Sequence, residues 1–357
     1  MRIVCVVGTR PNMVKMAPVI AALRRRFPDW HIATVHTGQH YDRLMSEVFL
    51  EELEMPEPDR VLGVGSGTHA EQIARVLERF GPVLEEEAPD LVLVPGDVNS
   101  TLGAALCAAK LGVAVGHIES GLRSFDRAMP EETNRIGTDH LSALCFLHCR
   151  EAIDNLREEG VPDDRMKFVG NTMIDSLVAL EGLISARGAA ASIGLEPGRY
   201  LLVTLHRPAL VDGPLLPQAM ASLAAVGPEL PVLFPVHPRT RKTLGDAGDC
   251  GITLTDPVGY LDFLSLESDA AAVLTDSGGI QEETTYLGIP CFTLRDNTER
   301  PVTIRAGTNV LLGLDPARIR EIPALLASRA ATTQRPQAPE LWDGRAAQRV
   351  ADVIADW

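Results

Sequence analysis

The run AAAVLTDSGGIQEETTYLG (270–288) leads an apolar segment into Ser277, Gly278 and Gly279 and then opens an amphipathic stretch. Adjacent glycines let a backbone approach an anion closely, and the N–H groups of a helix start point at it with a favourable dipole. Ser277 can add its hydroxyl. Glu283 follows roughly one and a half helical turns later, badly placed for a phosphate but well placed for a ribose diol. Together these residues fit a nucleotide diphosphate. The simpler alternative is a tight strand-to-helix turn with Ser277 as its cap.

A second group is carboxylic. Asp97 and Glu119 end the runs DLVLVPGD (90–97) and VAVGHIESG (113–121), and MPEETNR (129–135) puts Glu131 in a first helical turn with Asn134 on the same face. Acids at a helix start often serve only its dipole. Three carboxylates converging with His206 on one cleft would be costly unless they move protons or hold a metal. No H-x-x-x-H or similar spacing supports a metal, and no G-x-G-x-x-G supports a nicotinamide, so no metal and no cofactor is expected.

The elements that must position these groups read as parallel strands alternating with helices. RIVCVVG (2–8), HIATVHTG (31–38), LCFLHC (144–149), MKFVGN (166–171), YLLVTLH (200–206), PVLFPVH (231–237), GITLTD (251–256) and IPCFTL (289–294) join the runs already named. Runs apolar on both faces, separated by helix-length stretches, are the mark of strands covered by helices on both sides. Their number exceeds one compact sheet. The expectation is an α/β chain of two doubly wound, Rossmann-like domains facing a cleft: 1–171, 172–340, and a final helix 341–357 that returns to the first domain. Pro11 suits a helix start, and Met13, Met16, Val19, Ile20 and Leu23 form a helical stripe behind it, with Pro18 as a possible kink. The stretch ATTQRPQAPELW (331–342) reads as a linker.

In such sheets ligands bind beyond the carboxyl ends of the strands. The polar residues there are Arg10, Gln39 with His40, Asp97, Glu119, His206 with Arg207, His237 with Arg239, Asp276 with Ser277, and Arg295. Singly, each reads as a surface residue or a cap. Their recurrence in two halves suggests two sheet edges serving one site.

Composition narrows the partners. The 357 residues are 45% hydrophobic and 23% charged, with a net charge of −15. That acidity is a poor match for nucleic acid or an anionic membrane, whose binding depends on clustered cations. No apolar run approaches membrane-spanning length and no signal segment is recognisable, so the expected location is the cytoplasm. The six cysteines form no C-x-x-C pair and read as buried, reduced thiols.

At these residues the sequence resembles the non-hydrolysing UDP-N-acetylglucosamine 2-epimerases, which have the GT-B fold. The matching stretches are GTRPNMVKMAPV, TGQHYD, PGDVNST, GHIESGLRSFDRAMPEETNR, VTLHR, FPVHPRT, LTDSGGIQEET and NTERPVT, in order between residues 8 and 303. The resemblance implies elimination of UDP across C1–C2 to an enzyme-bound 2-acetamidoglucal, then re-addition with C2 inverted. It implies acid/base roles for Asp97, Glu119 and Glu131, and a catalytic-site role near the phosphates for His206. Substrate binding is expected from Arg10, Lys15, Gln39, Arg135, Arg207, His237, Arg239, Ser277, Gly278, Gly279, Glu283 and Arg300. A UDP-sugar is the expected partner, and a homodimer is implied by the family.

Three stretches depart from the family pattern: Asn12 in GTRPN, Ala209 and Leu210 in HRPAL, and Val302 after TERP. All are expected near the cleft, where they bear on which hexosamine is taken. A fourth is Asp42 in QHYD, where a Q-x-x-Q pair that binds a second, activating UDP-GlcNAc would carry an amide. A carboxylate cannot donate to a diphosphate, so little activation is expected.

Overall fold

The computed structural model describes residues 1–38, 50–53, 55–236, 241, 251–330 and 337–357. It divides into two compact units, Met1–Ala179 with Glu340–Trp357, and Leu180–Pro339. The join falls inside the helix Thr172–Arg187 rather than before it, because the first turns of that helix pack in the first unit. Ser176 there donates to the carbonyl of Val14 at 2.6 Å.

The first unit holds seven strands: β1 (Arg2–Val7), β2 (His31–His36), β3 (Arg60–Val61), β4 (Leu91–Pro95), β5 (Ala114–Ile118), β6 (Leu144–Leu147) and β7 (Met166–Phe168). Their order is β3-β2-β1-β4-β5-β6-β7, with every neighbour parallel. The second unit holds β8 (Leu201–Thr204), β9 (Val232–Pro235), β10 (Ile252–Thr255), β11 (Ala272–Thr275), β12 (Cys291–Thr293) and β13 (Asn309–Leu311). Its order, β10-β9-β8-β11-β12-β13, is also all parallel. Both are doubly wound, and the order reverses between β1 and β4 in one and between β8 and β11 in the other. Ligand crevices form at such reversals.

Burial follows the strand period. On β8, Leu201 and Val203 enter one core with Leu216, Leu223, Phe234 and Leu274, while Leu202 enters another with Tyr200, Leu233 and Val273. Both faces are therefore covered, which requires the continuous apolar runs seen in the sequence. The two strands outside those runs are β3, whose residues are both exposed, and the three-residue β13. The helix Arg10–Arg26 runs through Pro18 and buries its expected stripe.

The stretch read as a linker is in part an anchor. Among its described residues, Trp342 is buried, stacks on His148 and donates its indole N–H to the His148 carbonyl at 2.8 Å. Residues 331–336 lie outside the described residues. The last helix, Ala346–Asp356, buries Ala347, Val350, Ala351 and Ile354 in the first unit. The described cysteines Cys5, Cys107, Cys145, Cys149 and Cys291 are free and buried, and burial pushes the thiols of Cys5, Cys145 and Cys291 up to about 12. Among the described residues no helix is long and apolar enough to cross a membrane.

Candidate active site

In the first unit the reversal between β1 and β4 gathers a compact polar group. The chain leaves β1 through Gly8 and starts a helix at Arg10, an exposed residue, with Pro11 in its first turn. One turn in, Lys15 is buried and forms an ion pair with Glu119, which follows β5. Beside it, the Asn12 amide donates to the Pro95 carbonyl at 3.0 Å, and its oxygen accepts from Thr9 at 3.1 Å. The departure at Asn12 therefore lies at the end of β4, next to the carboxylate group.

Gly96 has φ +64°, and a Cβ there would lie 3.1 Å from Lys15 Nζ and 3.9 Å from Glu119 Oε2. A side chain at 96 would thus press on the ion pair as well as strain the backbone. Glu119 itself sits at φ +67°. A non-glycine residue in that region costs of order 1–3 kcal/mol and is retained where surroundings fix it, commonly at functional sites.

Asp97 follows Gly96 and keeps 21% of its side chain exposed. Arg135 donates to its carboxylate at 2.6 Å, and Asn134 to its carbonyl at 2.9 Å. Both donors come from the helix Pro130–Leu141, which carries the half-buried Glu131 in its first turn. Asp97 is thus tied to the helix that carries Glu131 in its first turn, with the Lys15–Glu119 pair at the end of the adjoining strand. Arg135 bridges two carboxylates, since its other arm reaches Glu132 at 2.7 Å. Glu132 was not singled out in the sequence. It is buried and accepts from Ser124 and from the Phe125 N–H, closing the loop before the helix. The i+3 spacing of Glu132 and Arg135 was the available signal.

In the second unit β8 and β11 end side by side. The buried Asp276 carboxylate accepts from the backbone N–H groups of His206 (2.9 Å) and Arg207 (2.8 Å) and lies 2.9 Å from His206 Nδ1. Burial alone would raise its carboxyl, but the His206 ring and these N–H groups hold it below the usual carboxylate range. His206, 61% exposed, is thereby oriented with Nε2 outward. Asp276 was a strand-end residue in the sequence, and its work is to hold His206.

The helix Gly278–Leu287 starts at Ser277, whose hydroxyl makes no cap bond to it. The capping alternative is therefore not realised, and the helix start keeps its character as an anion site. A Cβ on Gly278 would lie 2.7 Å from the guanidinium carbon of Arg300. Glycine thus admits a cation directly behind the loop. Arg300 is held there by Glu282 at 3.1 Å and Glu299 at 3.5 Å.

Glu283 is buried and accepts from the Tyr260 hydroxyl at 3.0 Å. Burial, offset by that hydrogen bond and reinforced by the charge of Glu282, pushes its carboxyl up to about 7. Glu267, fully buried with neither oxygen hydrogen-bonded, is pushed up by burial and by the charge of Glu283. Tyr260, on the helix Tyr260–Ser268, had no signal in the sequence.

Other expected residues fall elsewhere. Leu210 is 1% exposed in the core under β8, so its place in HRPAL is structural and not at the site; a short helix, Pro208–Val211, turns it inward. Gln39, Asp42, His237 and Arg239 lie outside the described residues. Among the described residues, no three His, Cys, Asp or Glu side chains are grouped to hold a metal ion.

Two doubly wound parallel sheets, one with a carboxylate group and the other with a capless helix start at their reversals, define a two-domain, Rossmann-like enzyme of GT-B architecture. The family model described as UDP-N-acetylglucosamine 2-epimerase matches residues 22–355. A UDP-N-acetylglucosamine 2-epimerase of Methanococcus maripaludis is 42% identical over 88% of each chain. A UDP-2,3-diacetamido-2,3-dideoxy-D-glucuronate 2-epimerase of Pseudomonas aeruginosa is 40% identical over 99% of each. The crystal structure of the Methanocaldococcus jannaschii UDP-GlcNAc 2-epimerase, in complex with UDP-GlcNAc and UDP, superposes with a TM-score of 0.89 at 36% identity, covering 100% of both chains. The chain belongs to the UDP-N-acetylglucosamine 2-epimerase family, and it is an isomerase.

Proposed function

We propose that the chain interconverts UDP-GlcNAc and UDP-ManNAc without hydrolysis, by elimination and re-addition of UDP. One observation carries the reading: Asp97 and Glu119, at the ends of adjacent strands, are each paired with a cation, Arg135 and Lys15, beside the helix that carries Glu131 in its first turn. In the elimination, the C2 proton passes to a carboxylate, the C1–O bond breaks with its electrons leaving on the diphosphate, and a C1=C2 bond forms. Re-addition returns the diphosphate oxygen to C1, while a second acid delivers a proton to the opposite face of C2. No carbonyl acidifies that proton, so the departing charge must be stabilised. Ser277, Gly278, Gly279, Arg300 and His206 supply donors for it, with Arg10 and Arg207 as further cations and Glu283 as the acceptor for the ribose diol.

Incubation with UDP-GlcNAc alone in deuterated water, followed by proton NMR, tests this. Loss of the H2 signal with appearance of UDP-ManNAc is expected. Unchanged H2 would overturn the reading and favour a glycosyltransferase or a sensor. The Pseudomonas relative and the amide at Asn12, bonded to Pro95 beside Lys15, favour a second reading in which a related UDP-2-acetamido sugar is preferred. The same experiment with UDP-2,3-diacetamido-2,3-dideoxy-glucuronate separates the two. By its family resemblance the enzyme works as a cytoplasmic homodimer supplying polysaccharide synthesis; sedimentation velocity at micromolar concentration tests the dimer.

A further inference from the structure

β5 carries one ring in its buried interior, His117, paired in register with Val94 of β4. The imidazole is wholly buried, with Nε2 2.7 Å from the Gly96 carbonyl and Nδ1 2.6 Å from Oδ1 of Asp139. A carbonyl only accepts, so Nε2 donates. Burial would raise the Asp139 carboxyl, but His117 and Arg123, the latter at 2.7 Å, hold it below the usual range. Asp139 therefore accepts, and Nδ1 donates as well. Asp139 also takes the Ser120 hydroxyl and, at 3.2 Å, the Gly121 N–H.

These bonds reach every segment that bears a site carboxylate. Gly96 precedes Asp97; Ser120 and Gly121 follow Glu119; and Asp139 lies on the helix that carries Glu131 in its first turn and holds Asp97 through Arg135. A Cβ on Gly96 would also lie within 4 Å of both Lys15 Nζ and Glu119 Oε2, so this turn borders their ion pair. A shift of either turn changes the spacing of the carboxylates. We propose that His117, paired with Asp139, is a positioning residue for the epimerisation, setting the mutual placement of Asp97, Glu119 and Glu131 without touching the substrate. This rests on the acid/base reading of those three carboxylates.

The amide nitrogen of asparagine stands close to where Nδ1 stood, and that of glutamine close to Nε2. His117→Asn thus keeps a donor toward Asp139 only, and His117→Gln keeps one toward Gly96. The expected result is a kcat lowered about 10²-fold in His117→Asn, as for a small misplacement of reacting groups, and about tenfold in His117→Gln, with KM within about threefold in both. A folded His117→Asn with kcat within about threefold of wild type would overturn the proposal, as would KM rising in step with the loss of kcat. Asp139→Asn gives a second measurement from the other side of the same tie: kcat is expected to fall about tenfold with KM within about threefold. A folded Asp139→Asn with wild-type kcat overturns the tie between the turns. Absence of H2 exchange by wild type would instead overturn the epimerase reading and, with it, any role of the tie in catalysis.

Discussion

His206 Nδ1 lies 2.9 Å from the buried carboxylate of Asp276, and that same carboxylate takes the backbone N–H groups of His206 and Arg207. One acid thus fixes both the path of the chain leaving β8 and the direction of the imidazole. Asp276→Asn removes the charge and leaves an amide that cannot accept all three donors. The expected outcome is a loss of about 10²-fold in kcat, of the size typical for a mispositioned acid or base, read in the H2-exchange assay. Turnover within a few-fold of wild type would mean that His206 needs no such orientation.

Asp97→Asn, Glu119→Gln and Glu131→Gln each keep the shape of a carboxylate and remove its proton chemistry. Each is expected to lose about 10²–10⁴-fold in kcat. UDP affinity by calorimetry should change little, because most of the residues proposed to hold the nucleotide are in the second unit. Ser277→Ala should do the reverse, weakening UDP while sparing the chemistry of bound substrate. A carboxylate variant with near wild-type turnover would remove that residue from the acid/base set.

The Glu283 carboxyl, pushed up to about 7 chiefly by burial, makes ribose binding depend on pH. The diol donates, so the ionised form is the competent one. Affinity for UDP-GlcNAc, measured on inactive Glu119→Gln so that the ligand survives, should fall about tenfold between pH 8 and pH 6. Stability of the unliganded protein runs the other way. A carboxyl raised above its unfolded value contributes stability that is fully present at low pH and is lost as pH rises through about 7. Glu283→Gln should flatten both profiles, and a pH-dependence surviving in that variant would assign it to another group.

Asp175, on the helix that joins the two units, accepts the N–H groups of Ala346 (3.1 Å) and Ala347 (2.6 Å), so it caps the last helix from a distant part of the chain. Asp175→Ala should cost about 1–2 kcal/mol, the size of a lost cap, seen as a lower denaturation midpoint. The kcat of the folded enzyme should be unaffected. An unchanged midpoint would show that burial of the helix alone holds it.

Much of this was legible in the residues because parallel strands must be apolar on both faces and must end in polar side chains at a ligand crevice. Asp97, Glu119, His206 and Ser277 could be found that way. Where an element carries no such contrast, reading fails: Arg60–Val61 is too short and exposed, and Asn309–Leu311 opens on a polar residue. His117 was hidden because one ring inside an apolar run has no period of its own. Tyr260 reaches Glu283 from a separate helix, a relation that only tertiary packing creates. Leu210 failed for the opposite reason: its motif suggested a polar neighbourhood, but a single short helix turns it into the core.

The first unit is built from both ends of the described chain, with Leu180–Pro339 set between them. During synthesis on a ribosome, strands β1 to β7 emerge long before Trp342 and the helix Ala346–Asp356 that complete their packing. The surface those residues cover must stay open while the whole second unit is made, a delay of order ten seconds or more at ordinary elongation rates. Leu180–Pro339 carries its own sheet and cores and is free to close first, so the order in which the two sheets become secure runs opposite to their order in the sequence.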